Sequence, residues 1–412
     1  MSKSPTSFVQ AGTGWLKKIM RTQEDAQELQ PEESGSGPGA DTTRSDLDKK
    51  TIALIGSIAR QVRTSIETGA LPAVRLPVRS LANVKYDEDK GYFELGEAQK
   101  VRTLTVNTVR SFAQTLRLMA ASQGMVQNDD FATKREAYYI SKNWGDCRFD
   151  QQAESDAIMD DIEALASMHG LSREQLRFYP EAHGGSVAGR LTVIDRNPAT
   201  REPIEIDCAN LGSGAYSIPR SVEHLEFRTD ARFLLAIETG GMFQRLNNHR
   251  FWDTANCIIV EMGGVPTRAT RRFIRLLSDR QNLPVYCFVD CDPYGFTNIY
   301  RTLKVGSGNA AHINRFFCVP RARFLGVTPQ DILDFGLEDA THPLAKTDIK
   351  RAQDALHNDP FIMAHPEWVS AITQLLEMEV RAEQQALAKW GLNYVIDEYL
   401  PQKLANESSF LP

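Results

Sequence analysis

Two short stretches of the chain carry residue types that can do chemistry together. The first, "TKREAYYISKNW" at Thr133–Trp144, sets two adjacent tyrosines just after a Lys-Arg pair. Arg135 and Tyr139 are four residues apart, so on a helix they share a face, while Tyr138 points roughly 100° away. A phenol with a pKa of about 10 is a poor nucleophile at neutral pH. It needs help to lose its proton, and the charge that builds on its target must be stabilised. An arginine suits the second task, because its guanidinium can clamp two phosphate oxygens at once. These residues alone leave two readings open. Either a tyrosine attacks a phosphate that Arg135 holds, or both tyrosines are packing residues of a partly buried helix. Lys134 is open in the same way, between a phosphate contact and a solvated charge.

The second stretch is "VDCDPYG", with Asp290 and Asp292, and it has a counterpart upstream in "LLAIETGGMF", with Glu238. An isolated D-x-D is usually a solvated turn. Here it closes an apolar run, and an earlier apolar run closes in Glu-Gly-Gly. In an open α/β sheet ligands bind beyond the carboxyl ends of the strands. These three carboxylates are therefore expected at one edge, where a hard divalent cation such as Mg²⁺ would take one or two of them together with substrate phosphate. Glu261 also ends an apolar run and competes for the glutamate role. Its preferred reading is a strand-end residue bonded to a loop amide. From Thr267 to Arg323 ten basic residues stand against three acidic ones, in a chain of net charge −6. That local excess is expected to track a phosphate backbone, with Arg268 and Arg272 as DNA contacts. A solvated helix face is the alternative, and it fits Arg275 and Arg280 well.

The elements that must position these groups can be read from the pattern. The chain has 412 residues, 42% of them hydrophobic, enough for two domains. Residues 22–48 are rich in Glu, Gln, Ser, Gly and Pro and are expected to be disordered, so residues 1–48 form an extension. A helix is expected from Lys49, stopped by Gly69, then a polar hairpin in "VKYDEDKGYFEL", then a long helix over residues 98–122. A β-rich piece, "GGSVAGRLTVID", follows the tyrosine helix, and the order suggests a winged-helix module over 49–215. From residue 216 onward "ARFLLAIE", "ANCIIVEM", "PVYCFVD" and "ARFLGV" read as buried strands alternating with helices, hence a mainly parallel sheet covered on both faces. Thr267 is placed to cap the helix "TRATRRFIRLLSDRQ". The six cysteines form no C-x-x-C pair, so reduced, buried thiols are expected rather than zinc or disulfides. No apolar run approaches a membrane span and no secretory signal is visible. The expected location is cytoplasmic.

These residues carry a family resemblance. Glu238, Asp290 and Asp292 in their motifs resemble the acidic triad of a toprim domain. "TKREAYYISKNW" resembles the tyrosine motif of the A-type subunit of topoisomerase VI and of the related eukaryotic protein that makes meiotic DNA breaks. "LPVRSLANVKYDEDKGYFELG", "GGVPTRATRRFIRLL" and "EQQALAKWGLNYVIDEYLPQKL" resemble the archaeal form, so the likeness spans roughly residues 50–405. The extension before residue 49 departs from the usual shorter chains. Glu136 stands where the pattern has aspartate, and no role is assigned to it.

The resemblance implies a winged-helix (CAP-like) domain with the catalytic tyrosine, and a toprim domain over 216–412 with a Rossmann-like sheet and Mg²⁺. Aligning "KREAYY" with the family puts the nucleophile at Tyr139, the residue that shares a helix face with Arg135, and leaves Tyr138 to packing. The implied activity is the type IIB topoisomerase reaction, in which both strands of a duplex are cut and each 5′ end is joined to a tyrosine. The protein would form a homodimer, with each tyrosine working opposite the partner's toprim domain. It would act with an ATPase subunit of the B type as an A2B2 heterotetramer, since no Walker-type motif lies in this chain and no other nucleotide-binding signature is visible. The alternatives are a break-making protein without strand passage, a toprim-type Mg²⁺ nuclease or primase for which Tyr139 is irrelevant, and a DNA-binding scaffold.

Overall fold

The computed structural model describes residues 44–412 apart from His183 and Pro198. The disorder expected for the extension falls mostly on residues 1–43, outside the described residues. The described residues divide into two compact units, residues 44–84 with 95–181, and residues 85–94 with 182–412.

In the first unit helix α1 (Arg44–Glu67) begins ahead of the Lys49 expected from apolar spacing. The early start has a tertiary cause. Leu47 packs on the core cluster, and Asp48 accepts two 2.9 Å bonds from the buried Arg177. Gly69, at φ +72°, turns the chain out of the helix, and β1 (Ala73–Pro77) follows. The single long helix expected over 98–122 is instead a strand and a later helix. Here β4 (Gln99–Thr103) pairs antiparallel with β1, and α2 (Val109–Gln127) starts beyond it. Val101, Thr103, Thr105 and Thr108 are β-branched and poor helix formers. The Thr108 hydroxyl also donates to the Thr103 carbonyl and accepts from the Thr105 N–H, closing a turn where a helix would run. The tyrosine motif forms the short helix α3 (Lys134–Ile140), followed by α4 (Gln152–Ser167), and the short strands β5 (Ala132–Thr133) and β6 (Phe178–Tyr179) pair in parallel on either side of them in sequence. Leu76, Leu118, Phe149, Met159 and Phe178 fill the core between these elements.

Hairpin β2 (Val84–Asp87) and β3 (Tyr92–Leu95) forms as expected, with Gly91 at φ +73° in the turn. It belongs mostly to the second unit, where the Asn314 side chain donates to the Phe93 carbonyl at 2.9 Å. That unit is built on a six-stranded sheet. Its central strands are the four read from the sequence: β12 (Phe233–Ile237), β13 (Cys257–Glu261), β14 (Val285–Phe288) and β15 (Ala322–Gly326). They lie in the order β13-β12-β14-β15, all parallel, and are almost wholly buried. The chain of apolar side chains on both strand faces is what a sheet covered on both sides demands.

The "GGSVAGRLTVID" piece differs from the expectation that made it part of the tyrosine module. Its first strand, β7 (Ser186–Gly189), pairs antiparallel with β13 and continues the sheet to β10 (Tyr216–Ser217). Its second, β8 (Thr192–Arg196), joins β9 (Pro203–Asp207) and β11 (Glu226–Arg228) in a small antiparallel sheet. The units therefore divide after Glu181, where the sequence reading placed a boundary at 215. Close approach explains the glycine here. A Cβ on Gly185 would lie 1.8 Å from the Glu261 carbonyl oxygen, so only glycine lets the chain pass this strand end.

One ionic hub ties the first unit together. Asp161 on α4, its side chain 5% exposed, accepts from Arg79 at 3.0 Å, Lys100 at 2.9 Å and Arg102 at 2.7 Å. Burial pushes its carboxyl up, but the bonds and charges of Lys100 and Arg79 prevail and hold it below the usual range. A carboxyl held low stabilises the fold above its unfolded value of 3.8, and that stabilisation is lost as the pH falls through the folded value. Asp161→Ala is expected to lower stability by about 3–5 kcal/mol near neutral pH, because it strands three cations. Chemical denaturation followed from pH 7 down to about pH 3 should show the gap to wild type narrowing.

Candidate active site

Glu238 is the first residue beyond β12, and Asp290 and Asp292 lie just beyond β14, the strand beside it. Each carboxylate takes one short backbone bond. Asp290 N–H donates to Glu238 Oε2 at 2.8 Å, Gln384 N–H to Asp290 Oδ1 at 2.8 Å, and Gly295 N–H to Asp292 Oδ1 at 2.6 Å. The cation beside them is Arg381, whose Nη1 lies 3.9 Å from Asp292 Oδ2. Burial, then the charge of Asp290, pushes Glu238 up to about 7. Burial also pushes Asp290 up to about 6, opposed by the Gln384 bond and reinforced by Asp292 and Glu383. Asp292 is raised as well, chiefly by burial.

The chemistry of this donor set fits a hard divalent cation, since buried like charges with free oxygens gain most from one. Glu238 Oε1 and Asp290 Oδ2 are left over once the backbone bonds are made. Yet among the described residues no three His, Cys, Asp or Glu side chains converge closely enough to cage a metal. The arrangement matches an ion held by one or two carboxylates and completed by substrate oxygens. Glu261, the competitor for the glutamate role, lies against the start of the helix after β12, where a Cβ on Gly240 would meet its Oε1 at 2.6 Å.

Sequence reasoning missed two residues of this edge. Gln384 is fully buried and sits at its centre, while the exposed Glu383 adds its charge to Glu238 and Asp290. Both lie in the C-terminal "RAEQQAL", far along the chain from the D-x-D. A neutral glutamine gives no charge signal that could have found it.

In the first unit Thr133 caps α3. Its hydroxyl accepts from the Glu136 N–H while the Glu136 carboxylate accepts from the Thr133 N–H at 2.7 Å, so Glu136 has a structural task. Tyr139 is 56% exposed, and Arg135, also exposed, stands one turn before it; neither side chain has a hydrogen-bond or ion-pair partner among the described residues. Tyr138 is tied in. Its hydroxyl donates to the Asp150 carbonyl at 3.2 Å, and Lys142 lies 4.0 Å from its ring centre. The two rings meet edge to face at 5.3 Å. Lys134 is half-buried and not free, because it pairs with Asp160 at 2.8 Å.

The expected basic track is largely consumed inside the second unit. Arg272 holds Glu223 with two bonds, 2.6 and 2.9 Å, and donates to the Phe316 carbonyl at 2.8 Å, so three of its five N–H groups are engaged within the unit. Arg268 lies over the Phe317 ring at 4.5 Å. Arg275, Arg280, Lys304 and Arg323 each donate to a backbone carbonyl. Charge counted along the sequence thus overstated what this stretch presents to a ligand.

Three family models match in succession. "Type IIB DNA topoisomerase" covers residues 110–177, and "All-beta domain in DNA topoisomerase VI alpha subunit" covers 181–231. The Toprim domain shared by the A-type subunit of topoisomerase 6 and Spo11 covers 233–404. Among curated proteins, the A-type subunit of type 2 DNA topoisomerase 6 from Methanocaldococcus jannaschii is 51% identical over 86% of this chain and 94% of its own. The proteins of the same name from Halobacterium salinarum and Methanothermobacter thermautotrophicus are 37% and 35% identical, over 85% and 87% of this chain and 94% and 98% of their own lengths.

A carboxyl raised in the folded state binds protons that the unfolded chain has released, so stability is full below the unfolded value and is lost as pH rises through the folded one. For Glu238 that window runs from 4.5 to about 7. In EDTA the melting temperature is therefore expected to fall across this window, and less so in Glu238→Gln. Added Mg²⁺ should raise it more at about pH 7.5 than at about pH 5.5, because protons and the ion compete for the same oxygens. Differential scanning fluorimetry reads both.

Proposed function

Since the chain belongs to the family of A-type topoisomerase VI subunits, we propose that it is the DNA-cleaving subunit of a type IIB topoisomerase, with Tyr139 as nucleophile and Arg135 as its phosphate clamp. The observation that carries the assignment of Tyr139 is the contrast within the pair. Tyr138 is held by Asp150 and Lys142, whereas Tyr139 stands exposed and unbonded on the same face as an unpaired arginine.

Tyr139 Oη bonds to the phosphorus, the bond from phosphorus to the 3′ oxygen breaks, and the DNA keeps a 3′ hydroxyl while its 5′ end is esterified to the protein. The phenol gives up its proton to solvent as the attack proceeds and the departing 3′ oxygen takes one up, so the exchange is proton-neutral and the phosphodiester energy is retained for resealing by the reverse step. Arg135 holds the non-bridging oxygens against the charge that grows on them. Glu238, Asp290 and Asp292 are the residues that would hold Mg²⁺. When bound, the ion supplies charge stabilisation at the leaving oxygen.

We assign the first unit to a winged-helix, DNA-binding role, supported by its helices with the antiparallel β1–β4 pair beside them. The second unit takes the metal-binding role. One chain offers one such tyrosine and a duplex has two strands, which supports a homodimer. The relatives are named as one lettered subunit of their enzyme. That supports a second, ATP-hydrolysing subunit of the B type, in an A2B2 assembly that passes another duplex through the break. No helix among the described residues is long and apolar enough to cross a membrane. A nucleoid-associated place in the cytoplasm is the reading that fits DNA as substrate.

With supercoiled DNA, Mg²⁺, ATP and the ATPase subunit, Tyr139→Phe is expected to lose cleavage by about a thousandfold or more, while Tyr138→Phe keeps it within a few-fold. Arg135→Ala should cost on the order of a hundredfold, the usual loss for one stabilising donor. Protease digestion and end-labelling should find protein on 5′ ends for wild type and Tyr138→Phe but not for Tyr139→Phe. Free ends made by Tyr139→Phe would instead identify a nuclease.

A further inference from the structure

Gln384 is fully buried beside the acidic edge, yet it belongs to the C-terminal segment and not to the strands that carry the acids. Every polar group it offers toward that edge is used. Its backbone N–H donates to Asp290 Oδ1 at 2.8 Å, its side-chain Nε2 donates to the Phe288 carbonyl at 2.6 Å, and its Oε1 accepts from the Thr239 hydroxyl at 3.1 Å. Phe288 is the last residue of β14, and Thr239 follows Glu238 directly. The single side chain therefore ties the carboxyl ends of the two strands that carry the acids. Just before it, Ala382 and Cys291 exchange backbone bonds of 2.8 and 3.1 Å, so the segment is clipped to the D-x-D from both ends.

We propose that Gln384 is the positioning residue of the acidic edge: its side chain holds together the ends of the two strands that carry the acids, and its backbone N–H fixes which oxygen of Asp290 faces a divalent cation. With Asp290 Oδ1 taken by the Gln384 N–H, and Glu238 Oε2 by the Asp290 N–H, the other oxygen of each is left to the ion. A glutamine suits the place because it supplies one donor and one acceptor on a planar amide with no charge of its own to add to the crowded carboxylates. The inference rests on the reading that this edge binds Mg²⁺. Residues that orient metal ligands typically contribute about ten- to a hundredfold to affinity.

Gln384→Met keeps the length and bulk of the side chain and removes both of its hydrogen bonds. Mg²⁺ titrations of melting temperature, without DNA, are expected to show a midpoint raised by about ten- to a hundredfold. The Mg²⁺ midpoint for DNA cleavage should rise in step, with most of the rate recovered at saturating Mg²⁺ and DNA binding in EDTA unchanged. A residue that only packs would lower the metal-free melting temperature and leave the midpoint in place. A midpoint within about twofold of wild type in folded Gln384→Met overturns the proposal. Should that variant fail to fold, Thr239→Val removes one of the two bonds and is expected to give a smaller shift in the same direction, restored by Thr239→Ser. An unmoved midpoint in Thr239→Val overturns the proposal equally. Asp290→Asn is the reference for lost binding. If wild type itself shows no Mg²⁺-dependent stabilisation, the metal reading falls and takes this inference with it, an outcome distinct from a wild-type response that Gln384→Met shares.

Discussion

Glu238, Asp290 and Asp292 are partly withdrawn from water at the carboxyl end of neighbouring parallel strands, where burial raises the hold of each on its proton. Much of the second unit follows from holding them there. Four apolar strands with both faces covered bring the ends of β12 and β14 side by side. The helix after β12 starts with glycine beside Glu261, and Gly295 lets the chain fold back where a Cβ would meet the Asp290 carbonyl at 2.7 Å. A segment nearly a hundred residues further on then closes the edge, its N–H groups meeting the Asp290 carboxylate and the Cys291 carbonyl. Backbone donors compensate part of the desolvation; a cation would compensate the rest.

The arginines show a second use of charge. Arg272 and Arg275 reach the carbonyls of Phe316 and Cys318, at the end of the helix Ala311–Phe317, where partial negative charge accumulates. Arg280, Lys304 and Arg323 close off other carbonyls in the same manner. Burial brings Lys304 down to about 8, which reflects how far from water that lysine is kept. These cations hold irregular connections around the sheet to their places, and they do so because the connections leave carbonyls that helices and strands do not satisfy.

What the sequence made legible follows from the range of the interactions involved. The four parallel strands were visible because burial on both faces writes itself as an unbroken apolar run, and the cap at Thr267 because it is local. The exposed Tyr139 was visible through its spacing from Arg135. Strand β4 was not, because its exposed Gln99, Lys100 and Val101 show no alternation of buried apolar and polar residues until β1 is there to pair with them. Strand β7 was misplaced because its partner β13 lies far along the chain. The basic stretch has the same blind spot: charge is visible in sequence, but the carbonyl that each cation meets is not. Gln384 belongs to this class too, a neutral residue whose three partners come from distant parts of the chain.

Helix α3 is only seven residues long, and a helix of that length holds its shape through its fastenings more than through its own hydrogen bonds. Those fastenings lie along its whole length: the Thr133–Glu136 cap at the front, Lys134 to Asp160 on one flank, and behind them Ser141, whose buried hydroxyl donates to the Tyr138 carbonyl and accepts from the Phe149 N–H. With Tyr139 as the proposed nucleophile, a DNA end joined to it would pull on the protein through a single side chain on this short rod. The cap, the ion pair and the serine would then act as guy lines, spreading the pull into α4 and the core.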